Sequence, residues 1–329
     1  MRICVFGTGA IGGLIAARLA RAGEDVTIID RGSHLRAIKK NGITLQWQDD
    51  SVETVQVKAV DKGADAGEQD LVVLAVKAHS LERAATDAQD LLGPKTMVMT
   101  LQNGLPWWYF QKHGGALDAT RLMSLDPGGT LTKTIHADRI IACVVYLAAE
   151  VAEPGVVRHI GANRFPMGEI DGRVTDRMQA VEASFVKAGL QASVLTDIRA
   201  EIWLKALGTL SLNPISALTN ATMAEICRFP ETRALTIKMM QEAQAIAAKL
   251  GISLRQTIEQ RLESAEAVGP HKTSMLQDLA TGRPLEIEGL IGAVLEMARL
   301  TDTPAPNIEA VYALIRLLDK TRRPESRGA

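Results

Sequence analysis

The 329-residue chain lacks a cysteine framework, a charge imbalance and any apolar run long enough to span a bilayer. Its three cysteines, Cys4, Cys143 and Cys227, stand far apart and form no CxxC or Cys/His spacing. No structural zinc or other metal is expected, and the pattern fits a reducing compartment. Lys and Arg total 37 against 38 Asp and Glu, a formal net charge of -1. That argues against a nucleic-acid or acidic-membrane partner, although a local basic pocket remains open. The longest apolar run, IIACVVYLAA at 140–149, is too short for a membrane span. No targeting segment, internal repeat or low-complexity tract is evident, so a cytoplasmic enzyme acting on a small molecule is the default expectation. The polar end DKTRRPESRGA is expected to fray.

The first 100 residues alternate β-branched runs with helical spacings. RICVF, DVTIID, DLVVLAV and TMVMTLQ read as buried strands. AIGGLIAARLARAG, SHLRAIKKNG and LERAATDAQDLL read as the helices between them, the first two closed by glycine. GITLQW and VETVQVKAV look like an antiparallel excursion around DDS. Alternation of this kind predicts a parallel sheet with right-handed crossovers. RIIACVVYLAAEV, GVVRHIG and NRFPMGEI are expected to extend the sheet in antiparallel fashion, followed by a helix at 176–190 and a short strand QASVLTD. After Asp197, a candidate N-cap, only helical periodicity remains. The expected architecture is an α/β Rossmann-type N-terminal domain, 1–196, and an all-α C-terminal domain, 197–329.

GTGAIG at 7–12 fits GxGxxG in an informative context: it follows a strand, opens a helix, and precedes an acidic residue, Asp30, at the end of the next strand. Gly7 permits the tight turn, Gly9 lets backbone approach a pyrophosphate, and Gly12 lets helix and strand pack closely. With Thr8, Ala10 and Ile11 these residues form the candidate dinucleotide cradle, where unpaired N–H groups meet the anion. Asp30 would accept from an adenosine ribose and favours NAD(H); Arg31 could pair with a 2′-phosphate and favours NADP(H). Spacing leaves the two open. Lys77 and Asn103 follow further strands, and open parallel sheets bind ligands at the carboxyl ends of their strands, so both are candidate phosphate or nicotinamide contacts.

The stretch RAEIWLKALGTLSLNPISALTNA, Arg199 to Ala221, is apolar through its middle, yet Lys205, Thr209 and Asn213 recur every fourth residue. On a helix they share one slowly drifting stripe. A buried lysine loses hydration unless it snorkels, is paired or gives up its proton. One polar stripe on an apolar helix suits the wall of a cleft; the bland alternatives are a snorkelling Lys205 and an Asn213 that merely ends the helix before Pro214. Further on, Ser274 precedes the helical run it opens, SMLQDL, and Glu286 opens an apolar helix where the dipole favours a carboxylate. An N-cap and an ordinary first-turn glutamate are their structural alternatives.

In this order, GTGAIG, LAVKAH with Lys77, QNG with Asn103, RAEIWLK with Lys205, LNPISALTN with Asn213, SMLQDL with Ser274 and LEIEGLIG with Glu286, the chain resembles the ketopantoate reductase (2-dehydropantoate 2-reductase) family over nearly its full length. The resemblance implies reduction of 2-dehydropantoate to pantoate, a step of pantothenate biosynthesis, with NADPH. It implies Lys205 as general acid, Asn213 and Ser274 as substrate ligands, and Glu286 as a ligand of both substrate and cofactor. Lys77 and Asn103 fall in the cofactor and active-site region, Asn103 also facing substrate, and Arg31 favours NADP(H). Two departures stand out: Thr209 occupies a substrate-facing position where many relatives have asparagine, and Asp30 keeps NAD(H) open. LPWWYF after Asn103 and SLDPGG at 124–129 also suggest a less characterised branch. The competing expectations are a reductase or dehydrogenase of another branched 2-oxo or hydroxy acid, and a non-catalytic NADP(H)-binding sensor, against which the intact polar set argues. The apolar C-terminal helices could supply a homodimer interface, although such helices are more often core.

Overall fold

Strands and helices alternate along the first half of the chain as its apolar runs dictate. The structure, a computed structural model, describes residues 1–322. In chain order the first half forms β1 (Arg2–Phe6), α1 (Ala10–Arg21), β2 (Asp25–Ile29), α2 (Gly32–Asn41), β3 (Ile43–Gln46), β4 (Val52–Val55) and β5 (Lys58–Val60). There follow β6 (Gln69–Leu74), α3 (Leu81–Asp87), β7 (Leu92–Thr100), α4 (Thr130–Thr134), β8 (Ile140–Cys143), β9 (Tyr146–Glu153), β10 (Val156–Glu169), α5 (Asp176–Lys187) and β11 (Gln191–Val194).

The strands form one sheet in the order β4-β3-β10-β8-β7-β6-β1-β2-β5, with β9 and β11 also paired to β10. β1 is parallel to both neighbours, β2 and β6, and β6, β7 and β8 continue in parallel. The chain therefore winds one way from β1 to β2 and then crosses to the other side. The carboxyl end of β1 is a topological switch point, where open α/β sheets bind ligands. The helix that follows it, α1, buries Gly12, Gly13, Leu14, Ile15, Ala16, Ala17 and Leu19. Its apolar side chains join Ile3, Val5, Ile28, Leu71, Val73, Met99 and Ile141 in one core. Each large aliphatic side chain buried there contributes about 1.5–3 kcal/mol relative to exposure.

Several elements differ from expectation. VETVQVKAV is not one strand: β4 pairs antiparallel with β3, whereas β5 pairs parallel with β2. Gln56 divides them, and its amide donates to the Asn41 carbonyl at 3.1 Å. RIIACVVYLAAEV breaks into β8 and β9, and β8 is parallel to β7 rather than antiparallel. Conversely, GVVRHIG and NRFPMGEI join as the single long β10, irregular near Gly161 where Ala162 takes a positive φ. The antiparallel expectation holds for β10 against β8 and β9. Strand period alone does not fix direction, which depends on the path of each connection.

The second half forms α6 (Ile198–Thr219), α7 (Met223–Arg228), α8 (Pro230–Lys249), α9 (Ile258–Ala267), α10 (Ser274–Ala280), a π-helical turn (Glu288–Gly292), α11 (Ala293–Leu300) and α12 (Pro306–Arg322). Capping boxes start two of these helices, Thr222 with Glu225 before α7 and Thr257 with Gln260 before α9. Of the polar end expected to fray, Asp319–Arg322 are helical and the rest lies outside the described residues. The chain packs as two units: Met1–Gln102, Phe110–Arg121 and Gly128–Ile198 in the first, and Asn103–Tyr109, Leu122–Pro127 and Arg199 onward in the second. A simple split at 196/197 misses the two short excursions of the first half. They join the second unit because Leu105 N donates to Gly289 O at 2.9 Å and Met123 N to Glu296 Oε1 at 2.7 Å. Among the described residues no helix is long and apolar enough to cross a membrane, and no group of acidic, His and Cys side chains could hold a metal.

Candidate active site

The glycine turn is made by steric necessity. Gly7 has φ +91°, which L side chains rarely adopt, and a Cβ there would lie 2.7 Å from Val76 Cγ1. At Gly12 a Cβ would overlap the Gly7 carbonyl, so α1 can start this close to β1 only without a side chain. Gly9 differs: it is the N-cap of α1, and nothing lies within 4 Å of where its Cβ would be. No side chain caps the helix and its first turn carries no acid. An open cradle against a helix N-terminus with unpaired N–H groups fits the pyrophosphate of a dinucleotide.

Asp30 sits beside this turn with its carboxylate turned inward. Oδ2 accepts from Thr8 N at 2.8 Å and from the Thr8 hydroxyl in a short bond, while Oδ1 accepts from Arg31 N at 2.7 Å. The acid is thus occupied within the protein, and Arg31, exposed, begins α2 as its N-cap. His34 completes the arrangement. Its Nδ1 accepts from Gly155 N at 3.0 Å, so the proton sits on Nε2, which donates to the Thr8 carbonyl. His34 is not a sequence candidate, since a lone histidine on an exposed helix carries no signal. Gln102 also escapes sequence reasoning: its amide donates to Leu74 O and Val76 O, both at 3.0 Å, tying the end of β6 ahead of the half-buried Lys77.

In the second unit, α6 runs through Pro214 to Thr219, so Asn213 does not end the helix. Proline removes one N–H from the ladder and the surrounding packing tolerates it. Trp203, Leu207 and Leu210 are buried around a half-buried Lys205. Lys205 Nζ donates to Asn103 Oδ1 at 2.8 Å, and two turns on Asn213 Nδ2 donates to Ser274 Oγ at 3.3 Å. Ser274 is not the N-cap of α10; Thr273 takes that role, accepting from Leu276 N, and leaves the exposed Ser274 hydroxyl for Asn213. Thr209 turns its hydroxyl back onto its own helix, donating to Lys205 O and Ala206 O at 3.3 Å. Glu286 is 9% exposed and immediately precedes the helical residues leading to the π-turn, accepting Leu290 N at its carbonyl.

Asn103 is held by a backbone contact that the sequence shows only as two unrelated glycines. Gly104 has φ +83°, and a Cβ there would overlap the Gly289 carbonyl. Gly289 lies in the π-turn, a feature that often marks functional segments. Three residues before it stands Glu286, so one close approach fixes the loop carrying Asn103 to the segment carrying Glu286. The aromatic run that follows is anchored on α6: Trp203 Nε1 donates to Tyr109 Oη at 2.8 Å, and Arg199 Nε donates to Tyr109 O at 2.9 Å. Arg199 also lies over the Tyr109 ring at 5.6 Å. Lys205, Asn103, Asn213 and Ser274 are thereby linked in two pairs along α6.

A dinucleotide turn at a sheet switch point, with a lysine–amide pair on a second, helical unit, defines a nicotinamide-dependent oxidoreductase. The family model described as ketopantoate reductase PanE/ApbA matches residues 3–172, and its C-terminal counterpart matches 197–319. A 2-dehydropantoate 2-reductase from Mesorhizobium japonicum is 50% identical over 319 residues, 97% of this chain and 98% of that protein. A solved structure from Ralstonia solanacearum MolK2, provisionally assigned as a ketopantoate reductase, superposes with TM-score 0.92 at 39% identity, covering 98% of each chain. The structure of 2-dehydropantoate 2-reductase from Geobacter metallireducens GS-15 follows at TM-score 0.85 and 28% identity, covering 97% of this chain and all of that one. The chain belongs to the ketopantoate reductase family.

Proposed function

We propose that the protein reduces 2-dehydropantoate to pantoate with NADPH and that Lys205 is the general acid. The observation that carries this is the 2.8 Å bond from Lys205 Nζ to Asn103 Oδ1 on the half-buried polar face of α6. The Asn103 amide oxygen anchors the ammonium without itself carrying charge, so a substrate oxygen brought to Lys205 meets a positioned cation. Reduced nicotinamide, when bound, supplies the hydride. Lys205 stabilises the negative charge that gathers on the 2-carbonyl oxygen and donates the proton; one such donor is typically worth about 3–4 kcal/mol. Ser274 and Asn213 bind the substrate's polar groups, and Glu286 orients hydroxyls.

For the cofactor, the Gly7–Gly12 cradle takes the pyrophosphate, with Lys77 near the carboxyl end of β6. NADPH is preferred because Asp30 is occupied by Thr8 and by Arg31 N, which leaves the exposed Arg31 side chain to meet a 2′-phosphate. A second substrate, another branched 2-oxo acid, is favoured by Thr209, whose hydroxyl is spent on helix carbonyls where many relatives offer an amide. The test is NADPH oxidation with 2-dehydropantoate beside a panel of branched 2-oxo acids, for the wild type and Lys205→Ala. The variant should lose about 10²- to 10⁴-fold in kcat with nucleotide affinity nearly unchanged. Near-normal turnover would remove the lysine from the chemistry, and a preferred acid other than 2-dehydropantoate would move the substrate assignment to it.

A further inference from the structure

α12 is anchored on one face and apolar on the other. Its inward side buries Ile308, Val311 and Ile315. Glu242 of α8 accepts from Asn307 N at 3.0 Å and from Ile308 N at 2.9 Å, and Tyr312 Oη donates to the Glu288 carboxylate at 2.9 Å. The outward side carries Ala310, Ala313, Leu314 and Leu317, all exposed, which the helical period gathers into one stripe. Leu314 and Leu317 are 55% and 58% exposed. Apolar side chains scattered singly over a surface are ordinary, whereas a contiguous stripe marks a docking face. Along one edge of the stripe stand Glu309 in the first turn and Lys320 in the last, both exposed. They are eleven residues, three turns, apart and so lie on the same flank. Arg316, over its own Tyr312 ring at 5.5 Å, adds to the positive end of that flank.

We propose that this stripe docks a second copy of the chain, α12 against α12 in antiparallel fashion about a twofold axis. The order of the charges selects that occupant. A twofold axis sets each flank against its own copy and reverses the chain direction, so the acid near the start of one helix faces the cation near the end of the other. Parallel packing would set like against like. With the axis passing between Ala313 and Leu314, Ala310 meets the partner's Leu317 and Ala313 meets the partner's Leu314, so each small residue faces a large one. Glu309 then stands opposite the partner's Leu318, about 3 Å along the helix from the partner's Lys320 and within reach of its long side chain. Symmetry makes every one of these contacts twice. One helix pair is small beside the roughly 800 Å² per partner of a standard interface, so association is expected at micromolar rather than nanomolar concentration. The proposal stands independently of the reductase function.

The test is sedimentation equilibrium of the full chain at low salt, from about 1 to about 100 µM. The wild type should pass from monomer to dimer across that range. Combining Leu314→Glu with Leu317→Glu should raise the dissociation constant at least about 100-fold. At the dilute end, where both proteins are monomers, they should melt alike. Glu309→Lys alone and Lys320→Glu alone should each weaken self-association by about 5- to 100-fold, because each sets like charges together twice. Mixed in equal amounts, those two variants should restore a dimer of wild-type strength, since one carries lysine at both positions and the other glutamate. That recovery is specific to an antiparallel pair, and it decides the matter even where the leucine variant fails to fold. A wild type still monomeric at about 100 µM overturns the proposal and leaves the stripe to another protein or to residues 323–329 of the same chain. A dimer that survives in the leucine variant, or charge variants that dimerise unaided or fail to recover on mixing, also overturns it.

Discussion

Glycine serves opposite purposes in the turn after β1 and in the loop after β7, the two regions of the proposed site. In the turn after β1, nothing lies within 4 Å of where a Gly9 Cβ would stand, so the space beside the start of α1 is open, as the proposed phosphate cradle requires. In the loop after β7, Gly104 is pressed against the Gly289 carbonyl, and the residue is what lets two pieces of protein touch. The first region offers backbone N–H groups at a helix end and needs few side chains. The second offers side chains, Lys205, Asn103, Asn213 and Ser274, and needs backbone contacts only to aim them. A backbone-built site tolerates changes of side chain but not the addition of a Cβ. A side-chain-built site depends on the packing behind it.

The largest effect that would break this contrast is expected at Gly104→Ala. A left-handed φ with a side chain costs about 1–3 kcal/mol, and overlap with Gly289 adds a similar amount. The melting temperature should fall by many degrees and turnover with it, because the Asn103 loop leaves Lys205. A Gly104→Ala protein that melts like the wild type would show that the Gly104–Gly289 approach is not what holds the loop.

Next comes Tyr109→Phe. It keeps the edge-to-face packing with Trp203, whose ring lies at 89° to it, but leaves the buried Trp203 N–H without that acceptor. An orphaned buried donor costs about 1–3 kcal/mol, read as a shift in the denaturant midpoint. Loss of stability with kcat unchanged would place Tyr109 behind the site; a fall in kcat greater than the stability loss explains would bring it forward.

Gly9→Ala is the counterpart to Gly104→Ala and should be smaller. With φ -59° and nothing near the new Cβ, folding should be unaffected. Binding of NADPH should weaken by about 1–3 kcal/mol, roughly 5- to 150-fold, because the methyl group enters the cradle. A destabilised Gly9→Ala protein, or one with unaltered nucleotide affinity, would remove the distinction between the two glycines.

How much of this was legible in sequence follows the same division. GTGAIG could be read because every part of it is local: strand, turn and helix start lie within about a dozen residues, and each glycine has its own steric reason. The stripe Lys205, Thr209, Asn213 was legible from period alone. What the stripe touches was not. Asn103 is 102 residues from Lys205, and Ser274 is 61 from Asn213, so those pairs depend on the path of the whole chain. Asn213 before Pro214 resembled a helix end, yet tertiary packing carries α6 through to Thr219. Strand direction failed for β8 for the same reason, since an apolar run pairs either way. Ser274 and Glu286 were legible as candidates from their places at helix starts, and the family resemblance supplied their roles; no local signal would have joined Ser274 to Asn213 of α6.

The smallest and most discriminating change is at Thr8. Its hydroxyl and its N–H both hold Asp30 Oδ2, so the acid that would accept from an adenosine ribose faces the protein instead. Thr8→Val keeps the shape of the buried side chain and the backbone bond but removes the hydroxyl. A hydrogen bond to a charged group contributes about 1.5–3 kcal/mol, part of which water or ribose recovers once the carboxylate is released. The ratio of kcat/KM for NADH over NADPH should therefore rise by about three- to tenfold, with most of the change in KM for NADH. Adding Asp30→Asn to Thr8→Val should cancel the gain, because the amide cannot replace the carboxylate as a double acceptor. If the ratio stays at the wild-type value in Thr8→Val, the clasp on Asp30 has no part in choosing the cofactor, and Arg31 carries that choice alone.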